Sequence, residues 1–333
     1  MVNESLPALL ERAIAARAAL FNDQHQSAFR LFNGFYEGCP FLVIDLFART
    51  AVLQNYADPP AQGEVCVAEA RVWLEKQLPW LQAILLKTRH AATRQDKLGI
   101  LVFGEHVDSR VQEHGIWYAL DLTMNQDASL YLDTRNLRKW VIENLKDKTV
   151  LNTFAYTGCL GVAARAGGVK RVLHVDRNRR FLEVAQASYR LNGFPVDEAD
   201  FQTGDFWQQV SHLKRSGERF DCVFLDPPFF SSASTGTVDL RRNSARLINK
   251  VRPLVNDDGT IVAVNNALYL SGRDYLAALE ALCADGYLQV ERLIPVPEDF
   301  TGYANTRLAG PPVDPAPFNH ATKIAVLKVR RKV

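Results

Sequence analysis

Four short segments carry residue types that can hold a nucleoside. In Val150-Leu151-Asn152-Thr153-Phe154-Ala155-Tyr156-Thr157-Gly158-Cys159-Leu160-Gly161 a strand-like run ends, glycine opens a turn, and a helical run begins. That order places a ligand at the switch point of an open sheet. Asp176 closes the next apolar run, where a carboxylate can accept both hydroxyls of a ribose. In Thr203-Gly204-Asp205-Phe206 the acid can bond the exocyclic amine of adenine, and Phe206 can flank the ring. A dinucleotide fold would want GxGxxG, so that pyrophosphate can press on bare backbone; Tyr156 stands in the first glycine's place. A nucleoside cofactor without phosphate, such as S-adenosylmethionine, needs less clearance.

The fourth segment, Phe220–Phe230, is a buried-strand pattern ending in Asp226-Pro227-Pro228-Phe229-Phe230. The prolines stiffen the turn and remove it from ladder pairing. Asp226 and the neighbouring carbonyls can then accept hydrogen bonds from the amino group of a base, while Phe229 or Phe230 stacks on its face. Asp-Pro-Pro can equally be a plain strand terminator. Lesser candidates share this ambiguity. Asn265 and Asn266 could line a pocket or cap a strand, and His320 could move a proton or serve structure. The loop with Glu298, Asp299 and Tyr303 could wall a substrate or merely connect, and the basic end Lys328, Arg330, Arg331, Lys332 could touch phosphate or be solvated.

The elements that must position these residues fall into two patterns. After about residue 122, strand-like runs alternate with helical ones: Val150–Phe154, Arg171–Asp176, Asp221–Asp226, Thr260–Asn265, Leu288–Val296 and Lys323–Val329 enclose helical stretches such as Asn178–Leu191 and Ala245–Val255. Such alternation predicts a mostly parallel α/β sheet. Before it, β-like runs (Phe29–Phe35, Phe41–Phe47, Thr50–Tyr56, Ala83–Lys87, Gly99–Phe103, Ile116–Leu122) surround one helix over Val65–Leu78, with another helix opening at Ser5 and Pro7. His114-Gly115 reads as a turn. The expected domains are a small α+β domain over 1–122, a candidate face for RNA or other substrate, and an α/β domain over 123–333.

Composition sets the class. The chain has 333 residues, 47% hydrophobic and 23% charged, which fits a folded globular protein of about two domains. No apolar run reaches the roughly 20 residues of a membrane span, and Glu4 and Glu11 do not suit a secretory signal. Five scattered cysteines (Cys39, Cys66, Cys159, Cys222, Cys283) contain no CxxC pair and predict reduced thiols in a cytoplasmic protein without a metal site. The net charge of +2 neither requires nor excludes a nucleic-acid partner.

Residues 126–266 resemble the class I S-adenosylmethionine-dependent methyltransferases, and among them the RlmI-like ribosomal RNA methyltransferases. The resemblance rests on Tyr131-Leu132-Asp133-Thr134-Arg135, Asn152–Gly158, Val175-Asp176, Gly204-Asp205 and Asp226-Pro227-Pro228. Phe29–Gly34 and Gly38–Asp45 are similar to the family's small central domain. It implies a Rossmann-like seven-stranded methyltransferase domain preceded by a small α+β domain. It also implies S-adenosyl-L-methionine contacts from Tyr131, Arg135, Phe154, Tyr156, Thr157, Gly158, Asp176, Arg177, Asp205, Phe206 and Asp226. The acceptor base would meet Asp226, Pro227 and Phe229.

Two departures shape the expectation. The family's N-terminal PUA domain has no counterpart here. Nor does Val264-Asn265-Asn266-Ala267 hold the cysteine that carbon-5 cytosine methylation needs to activate the ring. The resemblance implies methylation of a base in ribosomal RNA, and the missing cysteine makes nitrogen the expected acceptor in preference to carbon 5 through a cysteine adduct. The alternatives are a methyltransferase for a small molecule or protein, and a non-catalytic module binding S-adenosylmethionine and RNA.

Overall fold

The structure, a computed structural model, describes residues 4–233, 236–308 and 314–331. They form two compact units, residues 4–132 with 297–308, and residues 133–296 with 314–331.

In the first unit, helix α1 (Leu6–Ala16) buries Leu6, Leu9, Leu10 and Ala13, a stripe at helical spacing. Strands β1 (Ala28–Asn33), β2 (Leu42–Phe47), β3 (Thr50–Asn55), β4 (Ala83–Thr88) and β5 (Ile100–Gly104) make one sheet in that order. Only β3 and β4 run parallel, as the long crossover through helix α2 (Glu64–Gln77) demands. Strands β6 (Arg110–Glu113) and β7 (Ile116–Ala119) form a separate hairpin. His114 and Gly115 turn it with φ of 53° and 77°, the left-handed pair that a two-residue hairpin loop uses.

The change in sequence character at residue 122 precedes the structural division. Residues 123–132 stay with the first unit because Lys87 Nζ donates to the carbonyls of Asn125 (3.0 Å) and Asp127 (3.2 Å), and Arg89 to that of Gln126 (3.0 Å). Residues 297–308 also belong to it. The Asp299 carboxylate accepts the Arg30 N–H at 2.9 Å, and the buried Arg17 donates to the Asp299 carbonyl and to both oxygens of Glu37, each at 3.0 Å. Asp299 is thus a buried structural acid, and Tyr303 lies under the Arg17 guanidinium, 5.2 Å from ring centroid to Cζ.

The second unit contains strands β8 (Thr149–Thr153), β9 (Arg171–Asp176), β10 (Phe201–Thr203), β11 (Phe220–Leu225), β12 (Phe230–Ala233), β13 (Gly236–Asp239), β14 (Val255–Asn265), β15 (Leu288–Ile294) and β16 (Lys323–Val329). Seven of them form the expected Rossmann-like α/β sheet, in the order β10-β9-β8-β11-β14-β16-β15. It is parallel apart from β16, which runs antiparallel to both neighbours. Helices α3 (Arg135–Asn144), α4 (Cys159–Ala166), α5 (Arg179–Leu191), α6 (Phe206–Ser216), α7 (Leu240–Val251) and α8 (Gly272–Cys283) complete the unit. Among the described residues no helix is long and apolar enough to cross a membrane.

Local chemistry explains where the elements depart from the sequence reading. The helix expected over 245–255 begins at Leu240, because Asp239 caps it by accepting the N–H groups of Arg241 (3.0 Å) and Arg242 (3.2 Å). It ends at Val251, before Pro253, and β14 starts at Val255 instead of Thr260. The β12–β13 hairpin and α3 were not expected at all. At the C-terminus, Lys328 and Arg330 pair with Asp258 at 3.2 and 2.5 Å, and the Arg331 N–H bonds Asp257. The described part of the basic end is therefore tied to an acidic turn; Lys332 lies outside the described residues.

Candidate active site

Strand register brings the sequence-predicted segments to one edge. Leu225 of β11 lies between Thr153 of β8 and Ala263 of β14, Thr153 is paired with Val175 of β9, and Asp176 with Thr203 of β10. The residues just past these carboxyl ends are Phe154–Gly158, Arg177, Gly204–Phe206 and Asp226–Phe229. In an open parallel sheet this is the edge where ligands bind.

The glycine turn is held under strain by its neighbours. Phe154 and Tyr156 both have φ of 51°, and Gly158 has φ of 73°. A left-handed non-glycine residue costs about 1–2 kcal/mol, and two aromatics share that conformation here. Asp176 secures the turn: its Oδ2 accepts the Tyr156 N–H at 2.8 Å and its Oδ1 the Asn178 N–H at 2.9 Å. Gly158 is required by space as well as by φ, since a Cβ there would sit 2.4 Å from that of Ala185. Gly161 serves packing: a Cβ on it would lie 2.2 Å from the ring of the buried His174. Burial pushes His174 down to about 3, so it stays neutral, and its ring nitrogens meet Asn152 (3.3 Å) and the Tyr189 hydroxyl (3.1 Å).

Phe154, Asp176, Arg177, Asp205 and Phe206 line one pocket, together with Trp207 and with Ser231 and Val238 of the hairpin. Phe154 and Phe206 stack with centroids 4.5 Å apart. Asp205 caps α6, its Oδ1 accepting the Trp207 N–H at 2.9 Å. Burial pushes Asp176 up, an effect offset in part by the backbone N–H groups of Asn178, Tyr156 and Arg177. Acids at two strand ends flanking an aromatic wall suit a nucleoside: one to accept ribose hydroxyls, one to accept an amine. Thr157 is buried in the turn, and Arg135 opens α3. Tyr131 belongs to the first unit, 40% exposed, with its hydroxyl 3.4 Å from Asp127.

Asp226 follows β11 directly and makes no hydrogen bond to a described residue. It keeps some exposure, yet lies deep enough that burial, then the charge of Asp133, pushes it up to about 7. Asp133 is itself held by the Thr322 hydroxyl at 2.8 Å. Pro227 is buried, whereas Phe229 presents 46% of its surface. Asn265 is a structural cap: its Nδ2 donates to the Leu240 carbonyl (3.1 Å) and its Oδ1 accepts the Ala267 N–H (3.0 Å). Asn266 differs, because its buried Oδ1 has no partner among the described residues. His320 Nδ1 accepts the Thr322 N–H at 3.1 Å, which leaves its ring proton on Nε2.

Asp133 and the hairpin lining were not picked out as site residues from the sequence, which left Asn266 between lining a pocket and capping a strand. Asp133 stood within the Tyr131–Arg135 segment, but its approach to Asp226 joins positions far apart in the chain. The orphaned Asn266 oxygen has no signature in sequence; only burial reveals it.

The raised Asp226 predicts a pH profile. To take the proton that an amino group sheds on methylation it would have to be ionised, and the ionised fraction grows as pH rises through about 7. The single-turnover rate of methyl transfer should therefore rise about tenfold from pH 6 to pH 8. Asp133→Asn removes the neighbouring charge and moves the midpoint lower. A wild-type profile flat over this range would contradict the assignment.

The sequence profile of the S-adenosylmethionine-dependent methyltransferase family matches residues 70–307. A Bacillus subtilis protein with the provisional name ribosomal RNA large subunit methyltransferase YwbD is 28% identical over 304 residues, 87% of this chain and 74% of that one. Ribosomal RNA large subunit methyltransferase K/L of Shewanella amazonensis is 32% identical over 252 residues, 74% of this chain but only 34% of its own length. Ribosomal RNA large subunit methyltransferase I of Aliivibrio fischeri is 25% identical, over 87% of this chain and 73% of that one. The fold matches a solved, provisionally assigned methyltransferase complexed with SAH, with a TM-score of 0.82 at 21% identity, covering 97% of this chain and 81% of that one.

Proposed function

The chain belongs to the S-adenosylmethionine-dependent methyltransferase family, and from that premise we propose that it methylates a nitrogen of a base in ribosomal RNA. The observation that carries the reading is Asp226: a carboxylate without a described hydrogen-bond partner, on a proline-stiffened turn beside an exposed phenylalanine, at the carboxyl end of a central strand. The names of the relatives support RNA as substrate.

When bound, S-adenosylmethionine supplies an electrophilic methyl on a sulfonium. Asp176 would accept its ribose hydroxyls and Asp205 its adenine amine, with Arg177 and Phe206 flanking the ring. Phe154 would wall the nucleoside beside Phe206, and the turn residues Tyr156, Thr157 and Gly158, with Arg135 at the start of α3, would complete the holding set. Asp226 would orient the acceptor amine and take the proton it sheds as the new N–CH3 bond forms and the thioether departs, Pro227 would fix the turn and Phe229 would stack on the base. The chain's task is in-line positioning and exclusion of water, because the methyl needs no further activation.

Cysteine placement supports nitrogen over carbon 5. Cys222 lies mid-strand in β11, fully buried, and burial pushes its thiol up; Cys159 is buried behind Gly158. Cys283 ends α8, the helix that runs back from the β14 exit to the opposite edge of the sheet. None of the three offers an exposed thiolate to a base. All five cysteines are free thiols, consistent with action in the cytoplasm.

The unpaired Asn266 oxygen is assigned to a donor on the acceptor base. Asn266→Ala should raise KM for substrate about tenfold, one hydrogen bond's worth, with the cofactor affinity unchanged. An unaltered KM would remove Asn266 from the site. The function itself is tested by methyl transfer from radiolabelled S-adenosylmethionine into fractions of a strain lacking the gene. Label in ribosomal RNA is expected; label confined to protein or metabolites would overturn the RNA reading.

A further inference from the structure

Helices α6 and α7 carry Lys214, Arg215, Arg241, Arg242, Arg246 and Lys250, and no acidic residue. Among the described residues none of these six cations is ion-paired with a carboxylate. This imbalance is local, because the whole chain holds 39 basic against 37 acidic residues. Five of the six are exposed; Lys250 is half-buried.

The two helices border an open groove. On one side Gln208, His212 and Arg215 recur at helical spacing, and on the other Arg246, Asn249 and Lys250. Its floor is Trp207, with the Arg246 guanidinium 4.8 Å and the Lys250 ammonium 5.8 Å from the ring centroid. Lys250 is steadied by the Ser211 hydroxyl at 2.8 Å. Burial and the nearby Lys214 and Arg246 push Lys250 down. Like charges one helical turn apart repel, and a bound anion would relieve that cost.

The chemistry selects among polyanions. An acidic protein partner would need apolar anchors at the centre of its interface, and no exposed large apolar side chain lies on either helix. What lines the groove is guanidinium, ammonium and side-chain amide, the set that grips phosphate and sugar. Trp207 also lines the cofactor pocket, so groove and pocket are separated by one side chain.

We propose that the groove between α6 and α7 binds the backbone of the RNA substrate, with Arg215, Arg246 and Lys250 on phosphates. The inference rests on RNA being the substrate and adds where the strand is held beyond the reacting base. The groove escapes a sequence reading because neither helix shows a run of basic residues; folding sets two sparse stripes face to face.

The test is the full chain carrying Arg215→Gln, Arg246→Gln and Lys250→Gln, titrated with a fluorescein-labelled single-stranded RNA across a salt series. Losing three phosphate contacts should weaken binding at least tenfold at low salt and reduce the slope of log K against log salt by about two. Calorimetric affinity for S-adenosylmethionine should stay within about twofold, since none of the three lines the cofactor pocket; the single variant Arg215→Gln, with a slope change of about 0.7, guards against a fold defect in the triple one. If the wild type methylates RNA and the variants match its affinity and slope, the groove assignment is overturned and the function stands. If the wild type neither methylates RNA nor binds it in a salt-dependent way, both fall.

Discussion

Asp226→Ala lowers kcat for methyl transfer by about 10²–10⁴-fold, the range for loss of a positioned proton acceptor, while S-adenosylmethionine binding weakens less than about fivefold. The asymmetry follows from location. Asp226 follows the central strand β11 and does not line the pocket of Phe154, Asp176 and Asp205. Its carboxylate is kept from a described hydrogen-bond partner and pushed up to about 7 by burial and Asp133, the state of a group awaiting a donor. Asp226→Asn keeps one acceptor oxygen and should retain more activity than the alanine variant, but without the rise through neutral pH. Rapid-quench single-turnover assays with saturating cofactor separate these cases. An alanine variant with wild-type kcat would leave Asp226 as a strand terminator only.

Asp176→Ala should raise the Kd for S-adenosylmethionine by about 100-fold or more. Two hydrogen bonds from ribose hydroxyls to a carboxylate contribute about 1.5 kcal/mol each at the lower end, and about 3 kcal/mol corresponds to that factor. The carboxylate also holds the Tyr156 and Asn178 N–H groups, so its loss loosens the turn in which Phe154 and Tyr156 are left-handed. Calorimetry measures the affinity, and thermal denaturation without cofactor reports the turn's own contribution. A variant that binds cofactor normally would contradict the ribose assignment.

Much of the α/β sheet was legible because its central strands β9 and β11 are short, mainly apolar runs that end beside a residue with chemistry: Asp176, and Leu225 before Asp226. Burial on both faces and ligand binding at one edge write themselves into such runs. The β12–β13 hairpin was not legible, since Ser231, Ser232 and Thr237 give no apolar alternation, although it supplies part of the pocket lining. Helix α3 was missed for a related reason: its buried face includes Arg138, whose guanidinium bonds the Thr134 hydroxyl at 2.8 Å, so charge masks the stripe. Residues 297–308 return to the first unit through buried polar contacts of Asp299 and Thr306, which a hydrophobic pattern cannot announce. Within the site, strand-end acids could be read one by one, whereas the influence of Asp133 on Asp226 required the fold.

The most direct measurement incubates the purified protein with isotopically labelled S-adenosylmethionine and ribosomal RNA from a strain lacking its gene, digests the RNA to nucleosides and identifies the labelled one by mass spectrometry. A single nucleoside methylated on a base nitrogen, its label lost with Asp226→Ala, is the predicted result. Label on cytosine carbon 5, or none in RNA while protein or metabolite fractions are labelled, would contradict it.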